Sequence, residues 1–114
     1  MITRSHRFHG YNSLHFVYSH GKSLRSPTVA LKYIHNSKRN SFRLAVVVSK
    51  KVNKSAVQRN RMRRRIFEIV RRQQAAIHEP YDIVLTVFSD QLIAMPAHEL
   101  ETMIIGLLHQ AAIL

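Results

Sequence analysis

Cysteine and tryptophan are absent from the 114 residues, glycine and proline occur three times each, and only six residues are acidic. Without cysteine there is no disulfide framework, no thiolate zinc site and no cysteine nucleophile, and the cytoplasm is the expected compartment. Gly10, Gly21 and Gly106 stand far apart, so no glycine-rich loop can cradle a phosphate. The six carboxylates form no DxD or ExxE pair suited to holding Mg²⁺ or to acid–base work, which argues against a protein-borne two-metal nuclease. No stretch approaches the roughly 20 apolar residues of a membrane span. The N-terminal MITRSHRFHGYNS also lacks the apolar block of a secretory signal, so an unexported protein without a membrane partner is expected.

Against these absences stand 18 Lys and Arg residues and a formal net charge of +12. Hydrophobic residues make up 46% of the chain, enough for an ordinary core in one domain spanning 1–114. The charge is concentrated. Ten of the 18 basic residues lie between Lys50 and Arg72, opposed by Glu68 alone, whereas residues 73–114 hold five acids and no Lys or Arg. A merely solvated helix interleaves both signs; a one-sided block is the footprint of a surface for a polyanion. Nucleic acid fits best. An anionic membrane ranks behind it, because insertion needs a large exposed apolar face beside the charge.

The pattern of apolar residues predicts the elements. Residues 12–20 (NSLHFVYSH) read as a short helix, with Asn12 and Ser13 as caps, Leu14, Val17 and Tyr18 as its apolar side and Gly21 as its stop. GKSLRSP reads as a turn, and residues 28–35 (TVALKYIH) as a strand. HNSKRNS suits a hairpin loop, and residues 42–49 (FRLAVVVS) read as a central strand covered on both faces. From about 55 to 77, Met62, Ile66, Ile69, Val70 and Ile77 share one side of a long helix, with Asn60, Arg64, Glu68 and Arg71 opposite. After Pro80 comes a strand over 81–88 (YDIVLTVF). Pro96 then opens a helix carrying Leu100, Met103, Ile104, Leu107, Leu108 and Ala111 at helical intervals. The order α-β-β-α-β-α predicts an α/β (α+β) two-layer sandwich, one sheet with packed helices.

Enzyme chemistry finds little support in the residues. Close histidine pairs, His6 with His9 and His15 with His20, lack carboxylate or cysteine companions, and read as surface or RNA-contacting side chains. Ser49 and Lys50 are adjacent on an extended segment and point to opposite faces, which rules out a Ser-Lys dyad. No catalytic or metal-binding residue is expected. The run SKKVNKSAVQRNRMRRR, by contrast, leaves a strand and enters a helix. Lys50, Lys51 and Lys54 then lie at the positive end of the helix dipole, Arg59, Arg61, Arg63 and Arg64 add planar fork donors for phosphate, and Asn60 adds an amide. Phe67 keeps two readings, stacking on a base or packing against a neighbouring element.

AVQRNRMRRRIFE, preceded by VVVSKKV, resembles the signature of the bacterial ribonuclease P protein subunit family. That signature is Ala-Val, a free position, Arg-Asn-Arg, a free position and two basic residues, just after a strand ending in Lys-Lys. Ala56, Val57, Arg59, Asn60, Arg61, Arg63 and Arg64 fill it, with Lys50 and Lys51 before them. Arg7-Phe8, the helix ending at Gly21 and YDIVLTVF extend the resemblance over residues 7–88. Phe67 departs from the family's usual arginine, with Arg65 as a candidate replacement for that charge. The resemblance implies a ribonucleoprotein in which a large RNA binds Mg²⁺ and hydrolyses the phosphodiester, while the protein supplies no catalytic residue and needs no protein partner. Its implied partners are the ribonuclease P RNA, held by Lys50, Lys51, Lys54 and the Arg59–Arg64 segment, and precursor tRNA. The 5′ leader of the precursor would lie in a cleft at Leu14, Tyr18 and Lys32, positions that are often aromatic in the family. A left-handed crossover between parallel strands is implied as well, against the usual hand. The residues alone also allow a structural RNA-binding protein, such as a ribosomal protein or RNA chaperone, with no part in cleavage.

Overall fold

The computed structural model describes residues 11–114, with side chains from Leu14 onward. The Arg7-Phe8 match, the His6/His9 pair and the Asn12 and Ser13 side chains lie outside the described residues. The chain runs α1 (Tyr11–His20), β1 (Lys22–Arg25), β2 (Val29–His35), β3 (Arg43–Val48), α2 (Ala56–Gln73), β4 (Tyr81–Val87) and α3 (Ala97–Gln110), with 3-10 turns at Gln74–Ala76 and Asp90–Ala94. The strands form one sheet in the order β1-β2-β4-β3. β1 and β4 each pair antiparallel with β2, and β3 pairs parallel with β4, so α2 is the crossover of a βαβ unit.

The mixed architecture agrees with the sequence, but three details differ. β1 falls in the stretch read as a turn. Its only apolar residue is Leu24, and it holds its place as a polar edge strand because the β1–β2 connection is locked: the Ser26 hydroxyl donates to the Val29 carbonyl at 2.8 Å and accepts from the Val29 amide at 3.0 Å. β3 is an edge strand, not a central one. Leu44, Val46 and Val48 are buried, whereas Ala45 and Val47 on the second face are only half-buried; the apolar run reflected these small side chains, not a central position. β4 occupies the interior, with Asp82 to Leu85 all buried. Since β4 lies between β2 and β3, the loop over 36–42 crosses a strand and is no hairpin.

One core lies between the sheet and the two long helices. Leu31, Leu44, Val46, Ile83 and Leu85 meet Met62, Ile66, Ile69 and Val70 of α2 and Leu100, Ile104 and Leu108 of α3, and Ile77 closes the same core. Each such side chain contributes on the order of 1.5–3 kcal/mol. The expected apolar stripes of both helices are therefore the packed ones, except that α2 ends at Gln73, short of the expected 77, and Ile77 reaches the core in extended backbone beyond the 3-10 turn. Ser55 caps α2, its hydroxyl accepting from the Gln58 amide at 3.3 Å. Pro96 stands one position before α3.

α1 crosses the other face of the sheet, where Val17 and Val84 are fully buried. Gly21 ends α1 as expected, though not through left-handed backbone. A Cβ there would meet the Val17 and Tyr33 carbonyl oxygens at 2.6 and 3.0 Å, so glycine is required by close approach. The left-handed residue is Ala112 at the end of α3, with φ 59. Its amide donates to the His109 carbonyl at 3.0 Å and the Ile113 amide to that of Leu108 at 3.0 Å, the pairing of a Schellman terminus with alanine where glycine is usual. Ala112→Gly is expected to stabilise the fold by about 1 kcal/mol, raising Tm by roughly 3–6 °C. Thermal denaturation showing no rise would refute that account.

Candidate nucleic-acid interface

The basic segment is held on a rigid mount. Beyond β3, the Asn53 side chain accepts from the Ser55 amide at 2.8 Å, Val52 packs against the core, and the amides of Val52 and Asn53 donate to the Ser49 carbonyl. Arg59 completes the mount: its Nη1 donates to the Asn53 and Lys54 carbonyls at 2.9 and 3.0 Å. Lys50, Lys51 and Lys54 are left exposed around the amino end of α2, where the dipole and free amides favour an anion.

On α2 itself Asn60, Arg61 and Arg64 are exposed, around Val57, which is 75% exposed despite being apolar. Five of the ten cations are engaged by the chain. Arg59 ties the loop, Arg63 donates to the Asn60 side chain, Arg72 lies 3.7 Å from Glu101, and Arg71 donates to both oxygens of Glu68. Arg65 donates to the carbonyls of Leu92, Ile93 and Met95, closing the 3-10 turn before α3, so it does not replace the charge missing at Phe67. Phe67 itself is partly buried and packs against the core. Among the described residues, Lys50, Lys51, Lys54, Arg61 and Arg64 have no hydrogen-bond or ion-pair partner, and all five project to solvent from one strand-loop-helix junction.

The hydrogen bonds from Arg71 hold the Glu68 carboxyl below its ordinary range and raise the Arg71 guanidinium. Glu68 therefore stays ionised and cancels charge toward the carboxyl half of α2. Net positive potential is concentrated on the amino half and its loop.

The second expected site is formed by α1 and the sheet. Tyr18 reaches Thr86, hydroxyl to Oγ1, at 3.5 Å, and Leu14 is half-buried on the same helix. Lys32 is brought to Tyr18 but in a structural role: its Nζ donates to the Tyr18 carbonyl at 2.7 Å, capping one of the open carbonyls at the end of α1. Beside it, Ser23, Arg25, Ala30 and Lys32 line a depression of about 250 Å³, and Arg25 lies 4.1 Å from the centre of the Phe88 ring.

Two exposed apolar residues escaped the sequence reading. Phe16, 49% exposed, stacks on His20 with ring centres 4.5 Å apart. Its position off the Leu14-Val17-Tyr18 stripe was the available signal for an outward ring. Val57 was visible only as a signature residue; its place on the charged side of the helical wheel could have marked it. Among the described residues, no three His, Asp or Glu side chains converge as a metal site, and no helix is long and apolar enough to cross a membrane.

Comparison with known proteins agrees with this geometry. The Ribonuclease P family profile matches residues 2–112. The ribonuclease P protein component of Chloroflexus aurantiacus is 34% identical over 113 residues, covering 99% of this chain and 82% of its own length. That of Synechococcus elongatus is 33% identical over 89 residues, covering 75% and 73%. Among solved structures, the Staphylococcus aureus RNase P protein superposes with a TM-score of 0.85 at 23% identity, over 95% of this chain and 96% of that one. The Thermotoga maritima protein gives 0.75 at 25%, over 85% and 89%. With its signature presented on an ordered strand-loop-helix and residues 2–112 matched by the family profile, this chain belongs to the ribonuclease P protein component family.

Proposed function

We propose that the chain is the protein subunit of ribonuclease P and that it holds the catalytic RNA on the junction between β3 and α2 while that RNA removes the 5′ leader of precursor tRNA. The observation that carries this reading is the group of five unpartnered cations at the amino end of α2. Lys50, Lys51, Lys54, Arg61 and Arg64 contact phosphates, Arg59 acts chiefly by fixing the loop that presents them, and the Asn60–Arg63 pair offers both acceptor and donor atoms. The precursor's leader runs across the α1–sheet cleft past Leu14, Tyr18 and Lys32.

Phosphodiester hydrolysis and its Mg²⁺ belong to the RNA, and the protein contributes affinity and orientation. The carboxylates support this division: Asp82, Glu68, Glu79 and Glu101 face Arg43, Arg71, His35 and Arg72, four of the six acids of the chain. Neutralising RNA phosphates replaces part of what Mg²⁺ does in screening the two RNAs from each other. The assembly acts in the cytoplasm and requires no further protein. A purely structural RNA-binding role would use the same basic face, but the family to which the chain belongs does not favour it.

The test is single-turnover cleavage of a precursor tRNA by ribonuclease P RNA at low Mg²⁺, with and without the protein, sizing the released leader. The protein is expected to restore cleavage at the mature 5′ end. Tight binding without any stimulation would overturn the reading.

A further inference from the structure

At the end of the sheet opposite the basic loop, α1 and α3 both terminate, β1 and β4 begin and β2 ends. These termini enclose a cleft of about 460 Å³ lined by His20, Lys22, Tyr33, His35 and Tyr81. Its size falls within the roughly 300–1,000 Å³ of small-ligand sites. The Tyr33 and Tyr81 rings meet edge to face with centres 6.2 Å apart, and the His35 ring stands against Tyr81 at 5.4 Å. Glu79 lies 3.2 Å from His35 Nε2 and orients that imidazole. At the rim, His20 carries the exposed Phe16 ring stacked upon it, and His20 Nδ1 lies 3.3 Å from the Phe16 carbonyl. Lys22 is exposed and has no polar partner among the described residues.

Such a lining has the two parts that unpaired nucleic acid requires. Aromatic and imidazole rings stack on a base whatever its identity, and an unpartnered ammonium neutralises the phosphate. The Glu79 carboxylate is directed at His35, so the phosphate side is the Lys22 side. We propose that this cleft binds an unpaired RNA nucleotide, its base against Tyr33, Tyr81 and His35 and its phosphate on Lys22, with the Phe16–His20 stack as a platform for the neighbouring base. The site rests on the ribonucleoprotein reading above and is distinct from both the α2 junction and the α1–sheet cleft. Lying at the far end of the sheet, it engages a second stretch of RNA and adds avidity to the first contact. That stretch belongs either to the catalytic RNA or to the precursor.

The first measurement is titration of the full chain with AMP, followed by ring-proton NMR shifts of Tyr33, Tyr81 and His35, with inorganic phosphate as the comparison. Saturable ring shifts are expected with AMP and not with phosphate, and affinity should fall at least about fivefold in Phe16→Ala/Lys22→Ala and in Lys22→Glu. Both replaced side chains are exposed, and unchanged Tm would confirm intact folding. The variants are then compared with wild type for binding of ribonuclease P RNA by the protein and of precursor tRNA by the holoenzyme. A loss in the first assigns the nucleotide to the catalytic RNA, and a loss in the second alone assigns it to the substrate. Absent AMP shifts, shifts indifferent to both variants, or two unchanged RNA affinities would each overturn the site. Wild-type protein that shows the AMP shifts but fails to stimulate precursor cleavage would instead sink the subunit reading and leave the site standing.

Discussion

Replacing Lys50, Lys51, Arg61 and Arg64 together with alanine is expected to weaken binding of ribonuclease P RNA by about 100-fold or more at physiological salt, with Tm little changed. None of the four side chains has a partner among the described residues, so their removal leaves no buried group unsatisfied. Each lost phosphate contact should lower the slope of log affinity against log salt by about one, giving a loss of roughly four across the set. Titration of labelled RNA at several salt concentrations reads the slope directly. On the proposed division of labour, in which the chemistry belongs to the RNA, single-turnover cleavage at low Mg²⁺ should fall with binding and recover as Mg²⁺ is raised. A slope equal to that of wild type would place the RNA on another face of the molecule. Arg59→Ala is expected to behave differently. With its bonds to the Asn53 and Lys54 carbonyls gone, the loop carrying Lys50, Lys51 and Lys54 loses its brace, and the penalty appears in loop order as well as in affinity.

That contrast marks where the sequence stops being informative. The helical period placed Met62, Ile66, Ile69 and Val70 on the packed side of α2 and Arg64 opposite, because burial of a periodic stripe is a local property. The signature, too, could be placed at a strand-to-helix junction before any coordinates. What residue type could not convey is whether a given cation faces solvent or its own chain. Arg59, Arg63 and Arg65 all sit in the signature segment, and all three are engaged by nearby carbonyl or amide oxygens. Lys32 stood among the cleft positions, yet its ammonium caps α1, a contact set by the crossing of two elements remote in sequence. Strand order was hidden for the same reason. β3 and β4 are both largely apolar, and only the path of α2 decides which lies inside. β1 was missed because an edge strand needs backbone partners more than apolar side chains.

Asp82→Ala is expected to have the largest effect on stability, about 3–5 kcal/mol, equivalent to a fall in Tm of roughly 10–25 °C. Asp82 is 1% exposed and receives two hydrogen bonds from Arg43, Nε to Oδ1 at 2.8 Å and Nη2 to Oδ2 at 2.7 Å, plus one from the Asn36 side-chain Nδ2 to Oδ2 at 3.0 Å. The two residues are also in register where the parallel ladder of β3 and β4 begins. Truncating Asp82 leaves a buried guanidinium without its counter-charge, and that penalty dominates, not the loss of the pair's own attraction. The paired replacement Arg43→Met/Asp82→Leu should therefore cost much less than Asp82→Ala alone, a coupling that a double-mutant cycle measures. The location matters for function. Arg43 anchors the start of the strand whose other end launches the basic loop, so destabilised protein should still bind RNA well below its lowered Tm and lose binding cooperatively with unfolding. Bound RNA should raise that Tm in turn, since only the folded junction presents the five cations together. Equal destabilisation by the single and paired replacements, or RNA affinity lost while Asp82→Ala remains folded, would show that the ion pair acts on the interface by some route other than the stability of the sheet.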